Sequence, residues 1–150
     1  MSSFHEHGYY SIDPIGQLLI IRIGGAWNQQ TALKYEEEIR ELLPELMGSP
    51  WAAVSDMRDW ELCTPEVLEN WQQMSFYLSK DYNLRYMGLI INSALEKYLT
   101  RKVTDNATRD LTVQYFDTPE LAIDWCEQQL KIATRAPLPE EQQPGLSARK

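Results

Sequence analysis

The densest group of residues able to do chemistry in this chain is Asp56, Arg58 and Asp59, followed at once by Trp60. Two carboxylates and a guanidinium this close can clamp a polar ligand, or serve an acid–base step if a histidine or nucleophile completes them. Nothing nearby in sequence completes them. The two histidines, His5 and His7, stand at the N-terminus with Glu6 between them, too few and too untethered for a metal site. The simpler reading is a loop in which Arg58 neutralises its neighbours and the acids face the positive end of the next helix. Thr64-Pro65 follows. A threonine before a proline is a helix cap and first-turn pair, so the Thr64 hydroxyl is expected to accept a backbone N–H. Cys63 precedes a helix amino end, where a thiol pKa can fall, but has no histidine partner in sight. Gly24-Gly25 stands before a helix, yet lacks both the GxGxxG and the GxxxxGK[ST] spacing, and reads as a tight strand-to-helix turn. Catalytic residues, metals and cofactors are therefore not expected. The aromatics are a more open matter. Trp60, Trp71, Phe76, Tyr77, Tyr82 and Tyr98 fall on the second and third helices or their loops. Ordinary packing accounts for them; the alternative is an apolar groove between these helices holding a small hydrophobic ligand or a partner peptide.

Composition narrows the classes of partner. In 150 residues, 22 acids oppose 14 bases for a formal charge of −8. Nucleic-acid binding runs on clustered Lys and Arg, and the nearest cluster, Arg101-Lys102 with Arg109, is ringed by acids. The same charge opposes an anionic membrane surface. The N-terminus has neither the basic nor the apolar region of a signal peptide, and the longest apolar run, Leu18 to Ile21, is far too short to cross a bilayer. A cytoplasmic protein is expected. Cys63 and Cys126 form no CxxC or metal-ligand spacing and are expected to be reduced.

These residues must be held by a scaffold, and the apolar periodicity supplies one. Tyr9–Ile12 and Leu18–Ile23 read as strands of a hairpin, broken at Pro14 to Gly16. Asn28 caps a helix that Pro44 is expected to kink or end early, with Gly48 beyond it. Trp51–Met57 is a near-continuous apolar strand of the kind covered on both faces. A helix from Thr64, a strand at Arg85–Ile91, a helix capped by Ser93, a strand at Leu111–Phe116 and a helix from Thr118-Pro119 follow. The order ββαβαβαβα implies a mostly parallel central sheet with an antiparallel edge strand, helices packed against it and right-handed crossovers. Residues 1–135 form this domain. Residues 136–150 are rich in Pro, Glu and Gln and are expected to be disordered.

Three segments carry a family likeness: Val54-Ser55-Asp56-Met57-Arg58-Asp59-Trp60-Glu61, Tyr86-Met87-Gly88-Leu89-Ile90-Ile91, and Val113 to Ala122. With this element order, roughly Tyr9 to Leu130 resembles the SpoIIAA-like branch of the STAS-like proteins, small bacterial α/β domains. The resemblance implies the STAS-like fold and a non-enzymatic regulatory or binding role through protein contacts, since the better-known branch contains anti-sigma-factor antagonists. Those switches carry a phosphorylated serine in an Asp-Ser-Ser-Gly or Asp-Ser-Arg-Gly turn. Leu62-Cys63-Thr64-Pro65-Glu66 has neither that serine nor the glycine, so the same switch is not expected here. The binding residues expected on this reading are Asp56, Arg58, Asp59, Trp60, Thr64 and Trp71. Trp60 and Asp59 should be partly exposed and meet a protein partner with a basic surface, with homo-oligomers open. The alternative is a carrier of a small apolar or amphipathic ligand in a groove between helices two and three.

Overall fold

A computed structural model of the chain describes residues 8–61, 63–105 and 109–135. The His5-Glu6-His7 group and the tail at 136–150 lie outside them. The elements are β1 (Tyr9–Ile15), β2 (Leu18–Gly25), α1 (Gln29–Leu46), β3 (Trp51–Trp60), α2 (Pro65–Asp81), β4 (Leu84–Ile90), α3 (Ala94–Thr104), β5 (Thr112–Phe116) and α4 (Pro119–Arg135). β1 runs past Pro14, because an edge strand tolerates a residue without an N–H. Gly16, at φ 61°, takes the left-handed turn that closes the hairpin. Asn28 caps α1 by accepting from the Thr31 N–H at 3.0 Å. Pro44 does not end α1 at once, although it forfeits its own bond to the carbonyl one turn back; the helix runs only two residues further, to Leu46.

The sheet order is β1-β2-β3-β4-β5, with β1 antiparallel to β2 and the other pairs parallel. Each parallel link advances one strand in the same direction, so crossovers of one hand place α1, α2 and α3 on one face. There Leu19, Ile21, Ile23, Trp51, Ala53 and Met57 meet Tyr35, Ile39, Trp71, Met74, Leu78 and Val103. α4 covers the other face, over Leu18, Ala52, Val54 and Ile90. Val54 and Ile90 are 0% and 1% exposed, as their place in apolar runs predicts. α4 comes so close at Gly88 that a Cβ there would stand 3.0 Å from that of Ala122. Among the described residues, no helix is long and apolar enough to cross a membrane.

Candidate functional site

The sheet divides the residues that sequence brings together. Within β3, Ala52 and Val54 face α4, while Ala53 and Met57 face α1–α3. Strict alternation would put Trp60 on the α4 side with Asp56. A β-bulge prevents it. Arg22 pairs with Asp56 and Gly24 with Asp59, so Met57 and Arg58 together oppose Ile23. The surplus residue reverses the alternation, and Trp60 enters the α1–α3 core at 2% exposure, paired with Gly25. The expected partial exposure of Trp60 is thus overturned. β3 continues three residues past Met57, and its last residue is a core residue.

Asp56, Arg58 and Asp59 remain on the α4 side. Arg58 Nε and Nη2 hold both oxygens of Asp56, at 2.9 and 2.8 Å, and the Arg58 backbone N–H adds a third bond at 3.2 Å. Burial raises the Asp56 carboxyl, but hydrogen bonds and charge from Arg58 outweigh it and hold the group below its ordinary value. Arg58 is itself exposed and in the field of Asp59 and Glu120. Its carbonyl accepts from Asn92 Nδ2 at 2.6 Å, tying the end of β3 to the loop after β4. Asp59 is exposed as expected, with Arg22 and the Tyr9 hydroxyl each at 3.4 Å. Such solvated contacts hold little energy.

Thr64 sits at the α2 cap and is exposed, but its side chain makes no capping bond, contrary to expectation. Pro65 and Glu66 open the helix without it. The matching Thr118 does cap α4, accepting from the Leu121 N–H at 3.3 Å. Cys63 also departs from its sequence reading. Burial pushes its thiol up to about 11, and that of Cys126 up to about 12, so neither is an activated nucleophile. Both are free. Among the described residues no cluster of His, Cys, Asp and Glu is placed to hold a metal ion.

Trp71 belongs to a different site. It lines a narrow apolar cleft between the sheet, α2 and α3, with about 70 Å³ of free volume. Ile23, Met57 and Leu89 form the floor, Met74 and Leu78 the α2 wall, and Thr100 and Val103 the α3 wall. Behind Trp71 stand Trp27 and Trp60, with ring centroids 5.1 and 5.6 Å away. Of the six residues expected in one binding site, then, Asp56, Arg58 and Asp59 lie on one side of the sheet. Trp60 and Trp71 lie on the other, and Thr64 at the helix end between. Ser55, Ser75 and Thr100 were not singled out in sequence, yet they bring hydroxyls to the cleft. Ser75 was legible in principle: it follows Met74 on the buried stripe of α2 through Trp71 and Leu78.

α1 and α2 are joined by Glu36. Its carboxylate accepts from the Tyr77 hydroxyl and from Asn70 Nδ2 at 2.8 Å, and pairs with Arg40. Burial raises the Glu36 carboxyl, but these donors together carry it below its ordinary value. Burial also raises the phenols of Tyr10, Tyr35 and Tyr77. The depressed carboxyls of Asp56 and Glu36 contribute stability that is present above about pH 4 and lost as acid protonates them. Raised phenols contribute stability that is present below about pH 10 and lost above it. Thermal melts across pH should therefore show a plateau falling at both ends, with a shallower acid limb in Glu36→Gln. An acid limb unchanged by that substitution would remove Glu36 from the account.

No protein-family model matches the chain, and no curated protein matches it. Solved structures do. An uncharacterised protein of the DUF3478 family from Shewanella loihica, described as having a SpoIIAA-like fold, superposes with a TM-score of 0.61 at 13% identity, over 80% of this chain and 94% of that one. The chain has a SpoIIAA-like fold. The unphosphorylated anti-sigma factor antagonist SpoIIAA matches with a TM-score of 0.60 at 10% identity, over 79% of this chain and 98% of that one. An anti-sigma factor antagonist from Mycobacterium paratuberculosis gives 0.56 at 15%, covering 81% and 96%. At such identities the likeness is one of fold. The cleft and the bulge of this SpoIIAA-like chain are therefore read from its own residues.

Proposed function

We propose that this SpoIIAA-like domain is a non-enzymatic binding domain that carries a small apolar or amphipathic molecule in the cleft between α2, α3 and the sheet. The cleft itself carries the reading: an apolar gap between the sheet and two helices, lined almost wholly by core residues. Its free volume of about 70 Å³ is under half of the roughly 150 Å³ that accommodates benzene, so a ligand requires one wall to move. α3 is the wall able to yield. Of its 11 residues only Thr100 and Val103 are buried, while Leu95 and Tyr98 are exposed. Beyond Val103 and the half-buried Leu99 on the core, it is tied by polar bonds, among them Gln72 Nε2 to the Lys102 carbonyl at 2.9 Å and Thr100 Oγ1 to the Tyr115 hydroxyl at 3.2 Å. Support for a non-enzymatic role comes from the spent Asp56 carboxylate and the raised thiols.

The test fills the cleft. The chain should bind an apolar naphthylamine dye with enhanced dye emission, and Ser75→Leu should weaken that binding at least tenfold with no loss of melting temperature. Equal dye affinity in both proteins would sink the carrier reading.

A second reading, a regulator acting through protein contacts, is favoured by the anti-sigma factor antagonists among its fold neighbours and by an exposed acidic run of Asp59, Glu61 and Glu66. Buried Trp60 cannot anchor such an interface, which would rest on charge steering a basic partner. Asp59→Lys with Glu61→Lys separates the two readings, because it should leave dye binding intact and abolish any salt-sensitive association.

A further inference from the structure

Buried tryptophans ordinarily find an acceptor for the indole N–H. Trp27 and Trp51 do: Trp27 Nε1 donates to the Gly24 carbonyl at 3.1 Å, and Trp51 Nε1 to that of Tyr82. Trp71 does not. Its Nε1 is buried with no partner among the described residues, and Trp60 Nε1, on the neighbouring ring, is likewise unpaired. A buried donor left unmade is destabilising, so an acceptor supplied from outside the chain would be bound preferentially there. Trp71 is 7% exposed and forms part of the cleft wall. That wall contains no Lys, Arg or His to neutralise an anion, and no Asp or Glu to neutralise a cation. Burying an unpaired charge is far more costly than burying a paired dipole.

We propose that the Trp71 indole N–H is the polar anchor of the cleft, and that its ligand is an uncharged apolar molecule bearing a carbonyl oxygen. The inference rests on the carrier reading and adds the ligand's chemistry to it. The oxygen takes the indole N–H, and the hydrocarbon body lies over Met57, Met74 and Leu78. Selection then runs in a set order: a ketone binds more tightly than the hydrocarbon of equal length, and an alkanoate anion least.

The experiment titrates the full chain with 2-octanone, octane and octanoate while following the indole N–H resonances by NMR. The assigned Trp71 resonance should move downfield with the ketone and much less with octane. Octanoate at neutral pH should bind at least tenfold more weakly than the ketone. Trp71→Phe should reduce ketone affinity about five- to tenfold and leave octane affinity unchanged, as expected for one lost hydrogen bond. Since the resonance is read in the unaltered protein, the test does not depend on how well Trp71→Phe folds. Three results overturn the anchor: octane and ketone bound equally, octanoate preferred, or a Trp71 N–H that exchanges magnetisation with water and ignores the ketone. Those leave the carrier reading standing, whereas failure of all three compounds to bind defeats both.

Discussion

Val54→Asp should leave no soluble, folded protein. Val54 lies in the middle of β3, between Ile20 of β2 and Gly88 of β4, and is wholly buried beneath α4. Its neighbours in that core, Leu18, Ala52, Ile90, Ala122 and Cys126, offer no cation and no strong donor. An aspartate there must either ionise without a partner or take up a proton and remain an unpaired polar group. The penalty is several kcal/mol for the ion, against about 5–15 kcal/mol for a whole domain. Soluble yield and far-UV circular dichroism measure the outcome. A Val54→Asp protein that melts at the temperature of the parent would show that β3 is not the central strand.

Trp60→Ala should lower the melting temperature by roughly 10 °C. Large-to-alanine changes of buried aromatics cost about 3–5 kcal/mol, and in a chain of this size each kcal/mol moves the midpoint by about 2–4 °C. Trp60 packs on Trp71, which packs on Trp27, so its removal opens a buried space at one end of the aromatic group and leaves Trp71 without that neighbour. Asp59→Ala, one residue earlier, is the control. Asp59 is exposed and its contacts are solvated, so the change should cost under about 1 kcal/mol. Calorimetry of the two variants reads the contrast directly. Were Trp60 a surface anchor, the two melting points would be nearly equal.

The element order and every strand of the sheet were legible in sequence, because apolar runs and helix caps announce them locally. Ser93 and Asn28 cap as read. The Thr-Pro pairs show how far such signals reach: both open helices, but only Thr118 uses its hydroxyl. The misplacement of Trp60 has a single origin. A bulge is a relation between two strands, set by the pairing of Arg22 with Asp56 and Gly24 with Asp59, and one strand's sequence carries no trace of it. The polar run Arg58-Asp59 looked like the start of a loop for the same reason. The aromatics of helices two and three suggest a groove between them, but of those six only Trp71 lines the cleft, and its floor has no signal in sequence. Ser55 and Met57 reach it only through the sheet's tertiary packing.

The surplus residue in β3 also makes that strand's tolerance of length one-sided. A deletion at Arg58 would restore regular pairing and still bring Trp60 opposite Gly25, facing inward. Its harm would be chemical, because Asp56 would lose its cation. An insertion at the same point, taken into the ladder as a paired residue, would carry Trp60 one place beyond Gly25 and turn its indole outward. Shortening and lengthening by a single codon are thus unequal lesions here, and natural relatives of this chain should tolerate the former in β3 more readily than the latter.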